Sequence, residues 1–127
     1  MNTAYRVWDG EQMHYWDDEG LILELMGNEW VLWRDFGDGC SVSIAESHEE
    51  GKALMWHIGL LDKNNNAIYE KDIDISDGEP MIVVYENGHY GLKFPDDSTY
   101  FDFCMNWKEC EIGGNVYENC VLVEGVE

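Results

Sequence analysis

The fold is decided by residues 54–75, which read LMWHIGLLDKNNNAIYEKDIDI. An apolar run over residues 54–61 stops at the polar tip Asp62–Asn66, whose asparagines readily adopt the positive φ of a chain reversal. A second apolar run, 67–69, follows the tip, and residues 72–75 alternate polar and apolar side chains. This alternation predicts a strand with one solvent-exposed face. The stretch therefore predicts a hairpin or tight crossover inside a β domain.

Turn signals recur between short β-type runs along the rest of the chain. Asp9-Gly10, Gly27-Asn28 and Asn87-Gly88 are pairs typical of two-residue hairpin turns, because such residues tolerate positive φ. The predicted strands occupy residues 5–8, 13–16, 21–26, 29–34, 40–44, 54–61, 67–69, 72–75, 81–86, 89–94, 110–116 and 120–123. We therefore expect an all-β fold, built mainly from antiparallel hairpins, with little helix.

Two segments are less clear. Residues 21–26, LILELM, are nearly all apolar, which a strand allows only if both of its faces are covered. Residues 99–108 contain aromatic side chains that partly alternate, as in a strand, but Asp96–Ser98 could instead cap a short helix. For residues 99–108 both interpretations stay open.

The length of 127 residues corresponds to one domain, 1–127. The polar segment 45–52, AESHEEGK, is the one candidate boundary. It would separate an N-terminal sheet, residues 1–45, from a second part, residues 53–127.

Negative charge is the most unusual property of the composition. Asp and Glu total 27 against seven Lys and Arg, giving a formal net charge of −20, and the acids are spread along the chain. Phosphate contacts need a basic patch, so direct binding of nucleic acid or of an anionic membrane is disfavoured. The electric field of so negative a protein attracts cations or basic proteins.

The four cysteines contain no CxxC pair, and they are Cys40, Cys104, Cys110 and Cys120. The N-terminal residues form no apolar signal core, and no apolar run approaches the ~20 residues of a membrane span. We therefore expect a cytoplasmic protein with reduced thiols, which needs neither a disulfide nor a cofactor to fold.

The sequence contains two candidate metal sites. The tip at Asp62 begins like a calcium loop, with oxygen side chains at its first, third and fifth positions, but Ala67 and Ile73 replace the Gly and Glu that the motif requires. A zinc site could use His89 with Cys104, Cys110 and Cys120, yet structural zinc sites have paired ligands two to four residues apart, and none occur here. We expect a plain turn, no metal and no catalytic residue.

Three blocks, in order along the chain, resemble one family. They are Tyr5–Asp9 with Met13 and Tyr15; Leu54-Met55, Gly59-Leu60, Asp62–Asn64, Ile68–Glu70 and Asp72-Ile73; and Glu111-Ile112 with Gly114–Asn119. The pattern is similar to that of the YopX family of bacteriophage and prophage proteins. The family usually has Gly where Lys71 stands, a bulkier aliphatic residue at Gly113 and Pro at Cys120. The resemblance implies a phage origin and a mostly β fold with an SH3-like barrel towards the C-terminus, but no activity.

These observations favour a small, non-enzymatic phage accessory protein in the cytoplasm of a bacterial host. It would bind a protein with a basic surface, or a second copy of itself. The alternative is an acidic mimic of nucleic acid that inhibits a host DNA- or RNA-binding protein, because duplex DNA also carries dense negative charge, one per ~1.7 Å. An enzyme is the least favoured class, since no catalytic motif is present.

Overall fold

Antiparallel strands form almost all the regular structure of the computed structural model, which describes residues 4–37, 39–76, 78–86, 88–95, 97–104 and 106–119, with only the backbone of 97–100. The strands are β1 (Tyr5–Trp8), β2 (Met13–Tyr15), β3 (Leu21–Met26), β4 (Glu29–Asp35), β5 (Ser41–Glu46), β6 (Ala53–Leu61), β7 (Ala67–Tyr69), β8 (Asp72–Asp74), β9 (Met81–Glu86), β10 (His89–Phe94), β11 (Asp97–Asp102) and β12 (Ile112–Asn115). Helix is limited, in these residues, to the 3-10 turn Trp107–Glu109. The all-β prediction is confirmed.

The chain divides into two compact units. Residues 4–55 form the first, and the described residues from Trp56 onward form the second. The division falls inside β6, a few residues after the polar segment 45–52, whose first two residues belong to β5.

A hairpin opens the N-terminal unit at the turn predicted from Asp9-Gly10. Strands β1 and β2 pair with Trp8 opposite Met13. Asp9 Oδ1 accepts the backbone N–H groups of Glu11 and Gln12, each at 2.8 Å, while Gly10 takes a φ of 102°. The side chain and the glycine thus fix the reversal locally.

A three-stranded sheet, in the order β3-β4-β5, completes the described strands of this unit apart from the start of β6. Its inner face is anchored by Leu32 and Ala45, which are paired across β4 and β5 and are fully buried. The prediction that both faces of residues 21–26 are covered is wrong. Ile22, Leu25 and Met26 are 48%, 57% and 48% exposed, because β3 lies at the edge of a small sheet.

The C-terminal unit contains the β6–β7 pair and a five-stranded antiparallel sheet in the order β11-β10-β9-β8-β12. Its core is a cluster of Ile68, Met81, Val83, Leu92 and Cys110. The predicted hairpin of β9 and β10 is present, although Asn87 of its turn lies outside the described residues, as does the predicted strand 120–123.

The ambiguous segment 99–108 begins as a strand, so the alternative of a short helix capped by Asp96–Ser98 is wrong. Its first part belongs to β11, which pairs with β10 through Leu92 and Asp102. Its last part enters the 3-10 turn at Trp107, which begins at Asn106 without a side-chain cap.

Strand β8 departs from the prediction that one of its faces meets solvent. Asp72 and Asp74 are only 2% and 3% exposed. Asp72 Oδ2 accepts the N–H of Tyr69 at 2.8 Å, and Asp74 Oδ1 accepts the N–H groups of Ser76 and Glu111, both at 3.0 Å. Both carboxylates are buried because they serve as acceptors for backbone donors.

The residue between β7 and β8 that departs from the family pattern adopts the conformation that suits glycine. Lys71 is exposed and has a φ of 70°. Its N–H donates to the carbonyl of Val83 at 2.8 Å, and its carbonyl accepts from the N–H of Val116 at 3.1 Å. These two bonds hold a non-glycine residue in the left-handed region, which costs about 1–2 kcal/mol.

Replacing Lys71 by glycine is therefore expected to stabilise the protein. Lys71→Gly removes the strain of the left-handed conformation, but it also raises the conformational entropy of the unfolded chain. Because the first effect is the larger, the free energy of unfolding rises by about 0.5–1 kcal/mol. Urea denaturation measures the change. Lys71→Ala removes the same charge without relieving strain and stays within about 0.5 kcal/mol of the parent. A glycine variant no more stable than the alanine variant would contradict the prediction.

Candidate functional site

The polar tip between β6 and β7 is a closed turn. Asp62 is 1% exposed. Its Oδ1 accepts the N–H groups of Asn64 at 2.9 Å and Asn66 at 2.8 Å, and its Oδ2 accepts the N–H of Ile112 at 2.9 Å. Asn65 supplies the positive φ of 63°. Both carboxylate oxygens face backbone donors, which is the geometry of the predicted turn and not that of a calcium ligand.

Hydrogen bonding sets the charge state of Asp62. Burial by itself raises the pKa of this carboxyl, but the N–H groups of Ile112, Asn66 and Asn64 favour the charged form and hold the pKa below its ordinary value of 3.8. The folded pKa is thus lower than the unfolded one. The stabilising bonds of Asp62 are complete above the ordinary pKa and are lost as pH falls through the lowered value.

Two of the four cysteines meet in the C-terminal unit. Cys104 Sγ and Cys110 Sγ are 3.6 Å apart, a hydrogen-bonding distance for thiols, with Cys104 half-buried and Cys110 buried. A cavity of about 430 Å³ borders both thiols and is also lined by Asp74 and Asp102. Burial, followed by the charge of Asp74, raises the pKa of the Cys110 thiol well above its usual range, and burial likewise raises the pKa of Cys104. Both groups are therefore protonated thiols at neutral pH.

Of the four zinc ligands considered from the sequence, Cys104 and Cys110 meet. The ring of His89 lies 4.9 Å from that of Phe103, in an edge-to-face arrangement, and Cys120 lies outside the described residues. Within the described part of the chain, no group of three or more His, Cys, Asp or Glu side chains could hold a metal ion.

A series of hydrogen-bonded polar side chains, which the sequence did not predict, lies within the N-terminal unit. The buried ring of His14 lies with Nε2 2.7 Å from Asp9 Oδ2 and Nδ1 3.3 Å from Arg34 Nη2. The guanidinium donates to Nδ1, so Nε2 carries the proton and donates to Asp9. Arg34 also donates to the carbonyl of Glu19 at 2.8 Å. These hydrogen-bonded side chains tie the first hairpin to the three-stranded sheet, and both ring nitrogens of His14 have partners, which suits a structural role.

Exposed apolar side chains mark the edge of the three-stranded sheet, and the set Ile22, Leu25 and Met26 is here named the β3 surface. Strand alternation places Ile22 and Met26 on the same face as Glu24. Glu24 accepts a hydrogen bond from Trp33 Nε1 at 3.1 Å. The surface thus combines aliphatic side chains with a fixed carboxylate. The signal was visible in the run LILELM, which the sequence analysis interpreted as buried on both faces.

The loop after β4 borders a second cavity, of about 480 Å³, lined by Arg34, Asp35, Phe36 and Gly37 among others. The N–H of Gly37 donates to Asp35 Oδ1 at 2.8 Å, so this backbone group is occupied. The carboxylate of Asp35 at this cavity suits a bound anion poorly. In the described residues no helix is long and apolar enough to cross a membrane.

Comparison with known proteins identifies the family of this chain. The model of the family described as "YopX protein" matches residues 4–124. The chain belongs to the YopX family. It is 38% identical to the SPbeta prophage-derived uncharacterized protein YopX of Bacillus subtilis (strain 168), over an alignment of 138 residues that covers all of both chains.

Two solved structures are similar to this fold. The crystal structure of YopX from Bacillus subtilis superposes with a TM-score of 0.72 and 36% identity, covering 96% of this chain and 98% of that one. The crystal structure of protein EF1440 from Enterococcus faecalis gives a TM-score of 0.60 over 94% of this chain and 96% of that one, at 20% identity. The second likeness concerns the fold alone. The family resemblance predicted from the three sequence blocks is confirmed.

Removing the Asp62 carboxylate is expected to destabilise this YopX-family protein strongly. Asp62→Ala leaves backbone donors without an acceptor, and the free energy of unfolding falls by about 2–3 kcal/mol at pH 7. The difference from the parent narrows as pH falls from about 4 towards the lowered pKa of the folded Asp62 carboxyl, because the unfolded chain takes up its proton first. Denaturation series at pH 7 and pH 3 measure both effects. Asp17→Ala, which removes one exposed carboxylate, is the control and stays within about 0.5 kcal/mol.

The thiols are expected to react with iodoacetamide in a fixed order in the folded protein. Cys40 is exposed and reacts first, Cys104 follows, and Cys110 is slowest, because each unit of raised pKa reduces the thiolate about tenfold. Mass spectrometry of the Cys120→Ser background measures the rates. In denatured protein the three cysteines are expected to react at similar rates. Labelling of Cys110 as fast as that of Cys40 in the folded protein would show that the thiol pair is not buried.

Proposed function

We propose that this protein is a small, acidic, phage- or prophage-encoded accessory protein that works in the bacterial cytoplasm by binding another protein, without catalysing a reaction. The observation that carries the proposal is the β3 surface. Three large apolar side chains, each about half exposed, lie on a single edge strand, with Ile22 and Met26 on one face and Leu25 on the other. Clustered apolar exposure of this kind is typical of an interaction site.

The charge around the β3 surface defines the chemistry of the partner. Glu24 lies between Ile22 and Met26 on the same face, and Glu29 is the cross-strand partner of Met26. The whole chain carries a formal charge of −20. A matching protein surface therefore presents aliphatic or aromatic side chains flanked by Lys or Arg, and long-range attraction speeds its approach.

A second copy of this chain is a weaker fit to the same surface. Two bodies of −20 repel each other, and Glu24 of one copy would face carboxylates of the other. A basic partner gains the same apolar burial and adds electrostatic attraction. We therefore favour a heterologous complex over a homo-oligomer.

Relatives support the phage origin and the architecture that we propose. The Bacillus subtilis relative is named as prophage-derived. We assign the five-stranded sheet of the C-terminal unit as the SH3-like part that the family resemblance implies.

The acidity of the chain also supports a second candidate function, a mimic of nucleic acid that inhibits a host DNA- or RNA-binding protein. In that case surface carboxylates, and not aliphatic side chains, would dominate binding. Asp62, Asp72 and Asp74 would not contribute contacts, because they are buried and bonded to backbone N–H groups. The two functions therefore predict that substitutions at different residues weaken binding.

A partner captured from the bacterial host is expected to depend on the β3 surface. The double variant Ile22→Ser/Met26→Ser loses at least tenfold in affinity, because a buried aliphatic side chain contributes about 1.5–3 kcal/mol and tenfold is about 1.4 kcal/mol. Leu60→Ser/Leu61→Ser, on β6, is the matched control, since those side chains are 46% and 38% exposed, and it keeps the affinity. Surface plasmon resonance gives the constants.

Competition with nucleic acid distinguishes the two candidate functions, and the salt dependence of the association rate tests the electrostatic part of the proposal. For the proposed complex, the association rate falls as salt rises, because steering is screened over a Debye length of about 8 Å at 0.15 M. A partner that normally binds DNA, that competes with DNA, and that ignores Ile22→Ser/Met26→Ser would support the mimic instead. Tight binding of duplex DNA by this protein at physiological salt would contradict both functions.

A further inference from the structure

The two thiols that meet in the C-terminal unit flank a single turn of 3-10 helix. Cys104 precedes the turn Trp107–Glu109 and Cys110 follows it, yet their sulfur atoms are 3.6 Å apart. A disulfide bond is about 2.05 Å long, so the sulfurs need to approach by roughly 1.5 Å. The fold has thus already brought the pair together.

The two thiols differ in how readily a reagent in solution reaches them. Cys110 is held by its backbone, whose N–H donates to the carbonyl of Trp107 at 3.1 Å and whose carbonyl accepts from the N–H of Lys63 at 3.0 Å. Cys104 is half-buried and has a φ of 48°, an uncommon conformation for a residue other than glycine. The cavity of about 430 Å³ borders both side chains. The N–H of Cys104 donates to Asp102 Oδ1 at 2.9 Å, so its backbone is held as well. Cys104 is the more exposed of the two thiols, and it is therefore the one that a small reagent reaches first.

We propose that Cys104 and Cys110 form a dithiol–disulfide site, which is oxidised by a small-molecule disulfide such as glutathione disulfide. Cys104 loses its proton to solvent and its sulfur attacks the reagent, releasing one glutathione thiolate and forming a mixed disulfide. Cys110 then loses its proton, attacks Cys104 Sγ and releases the second glutathione. The protein loses two hydrogens, and one glutathione disulfide becomes two thiols.

The product is a covalent ring around the 3-10 turn. It joins the segment that follows β11 to the segment that precedes β12 by a covalent bond, where the reduced protein has a thiol contact. Closing the ring also removes both thiols from the wall of the cavity. The site does not depend on the proposed binding function, since the β3 surface belongs to the N-terminal unit.

The experiment uses the full chain with Cys40→Ser and Cys120→Ser, so that only the pair can react. Folded protein is incubated with glutathione disulfide, quenched, alkylated and digested with trypsin, which cleaves after Lys108, between the two cysteines. The expected product is peptide 94–108 linked to peptide 109–127, with the intact protein lighter by two hydrogens. Adding Cys110→Ser stops the reaction at a glutathione adduct on Cys104, whereas adding Cys104→Ser leaves Cys110 as a free thiol.

Titration against mixtures of reduced and oxidised glutathione gives the quantitative test. The folded protein holds the sulfurs together, so its disulfide persists at a ratio of reduced to oxidised glutathione at least tenfold higher than in concentrated urea. Circular dichroism confirms that each variant is folded. A folded protein that accumulates the adduct without linked peptides, that does not react, or that holds its disulfide less firmly than in urea overturns the proposal.

Discussion

Backbone N–H groups that point into this protein need acceptors, and buried carboxylates supply them. Asp62 bonds to the N–H of Ile112, 50 residues away, and Asp74 bonds to that of Glu111, 37 residues away. Asp72 does the same for Tyr69 within its own turn. A buried donor without an acceptor costs about 1–3 kcal/mol, so these bonds fix where the chain before β12 meets the central hairpin stretch. The C-terminal sheet depends on this constraint, since β12 pairs with β8, the strand that carries Asp72 and Asp74.

Local turn chemistry could be predicted from sequence, whereas the environment of these aspartates could not. Asp9-Gly10 and Gly27-Asn28 encode their reversals in adjacent residues, and the structure has hairpins at both places. The alternation of residues 72–75 correctly predicted a strand. It could not show whether a carboxylate meets water or a backbone donor, because the donors of Asp74 include one 37 residues away. The same limit applies to residues 21–26, where an apolar run predicted burial but the edge position leaves it exposed.

The candidate sites required the folded chain for a similar reason. The spacing of six residues between Cys104 and Cys110 resembles no common motif, and only the 3-10 turn between them brings the sulfurs to 3.6 Å. Two departures from the family pattern also become clear in three dimensions. Lys71 keeps a glycine-like φ of 70°, so the backbone is maintained despite the substitution. A Cβ on Gly113 would lie 2.8 Å from Cδ1 of Ile75, so a larger residue there requires a different placement of that side chain.

The exposed edge of β3 has a consequence for colloidal behaviour. A strand that reads LILELM, with half-exposed apolar side chains and an edge position among the described strands, is a template on which further strands could pair in an amyloid-like way. Glu24 is the one charged side chain within it and acts as a gatekeeper, while repulsion between whole molecules of −20 keeps their edges apart. The repulsion is lost as pH falls towards the isoelectric point of the sequence, about 4.2, where the net charge vanishes. Acid, and not heat alone, is thus the condition in which this edge nucleates aggregation.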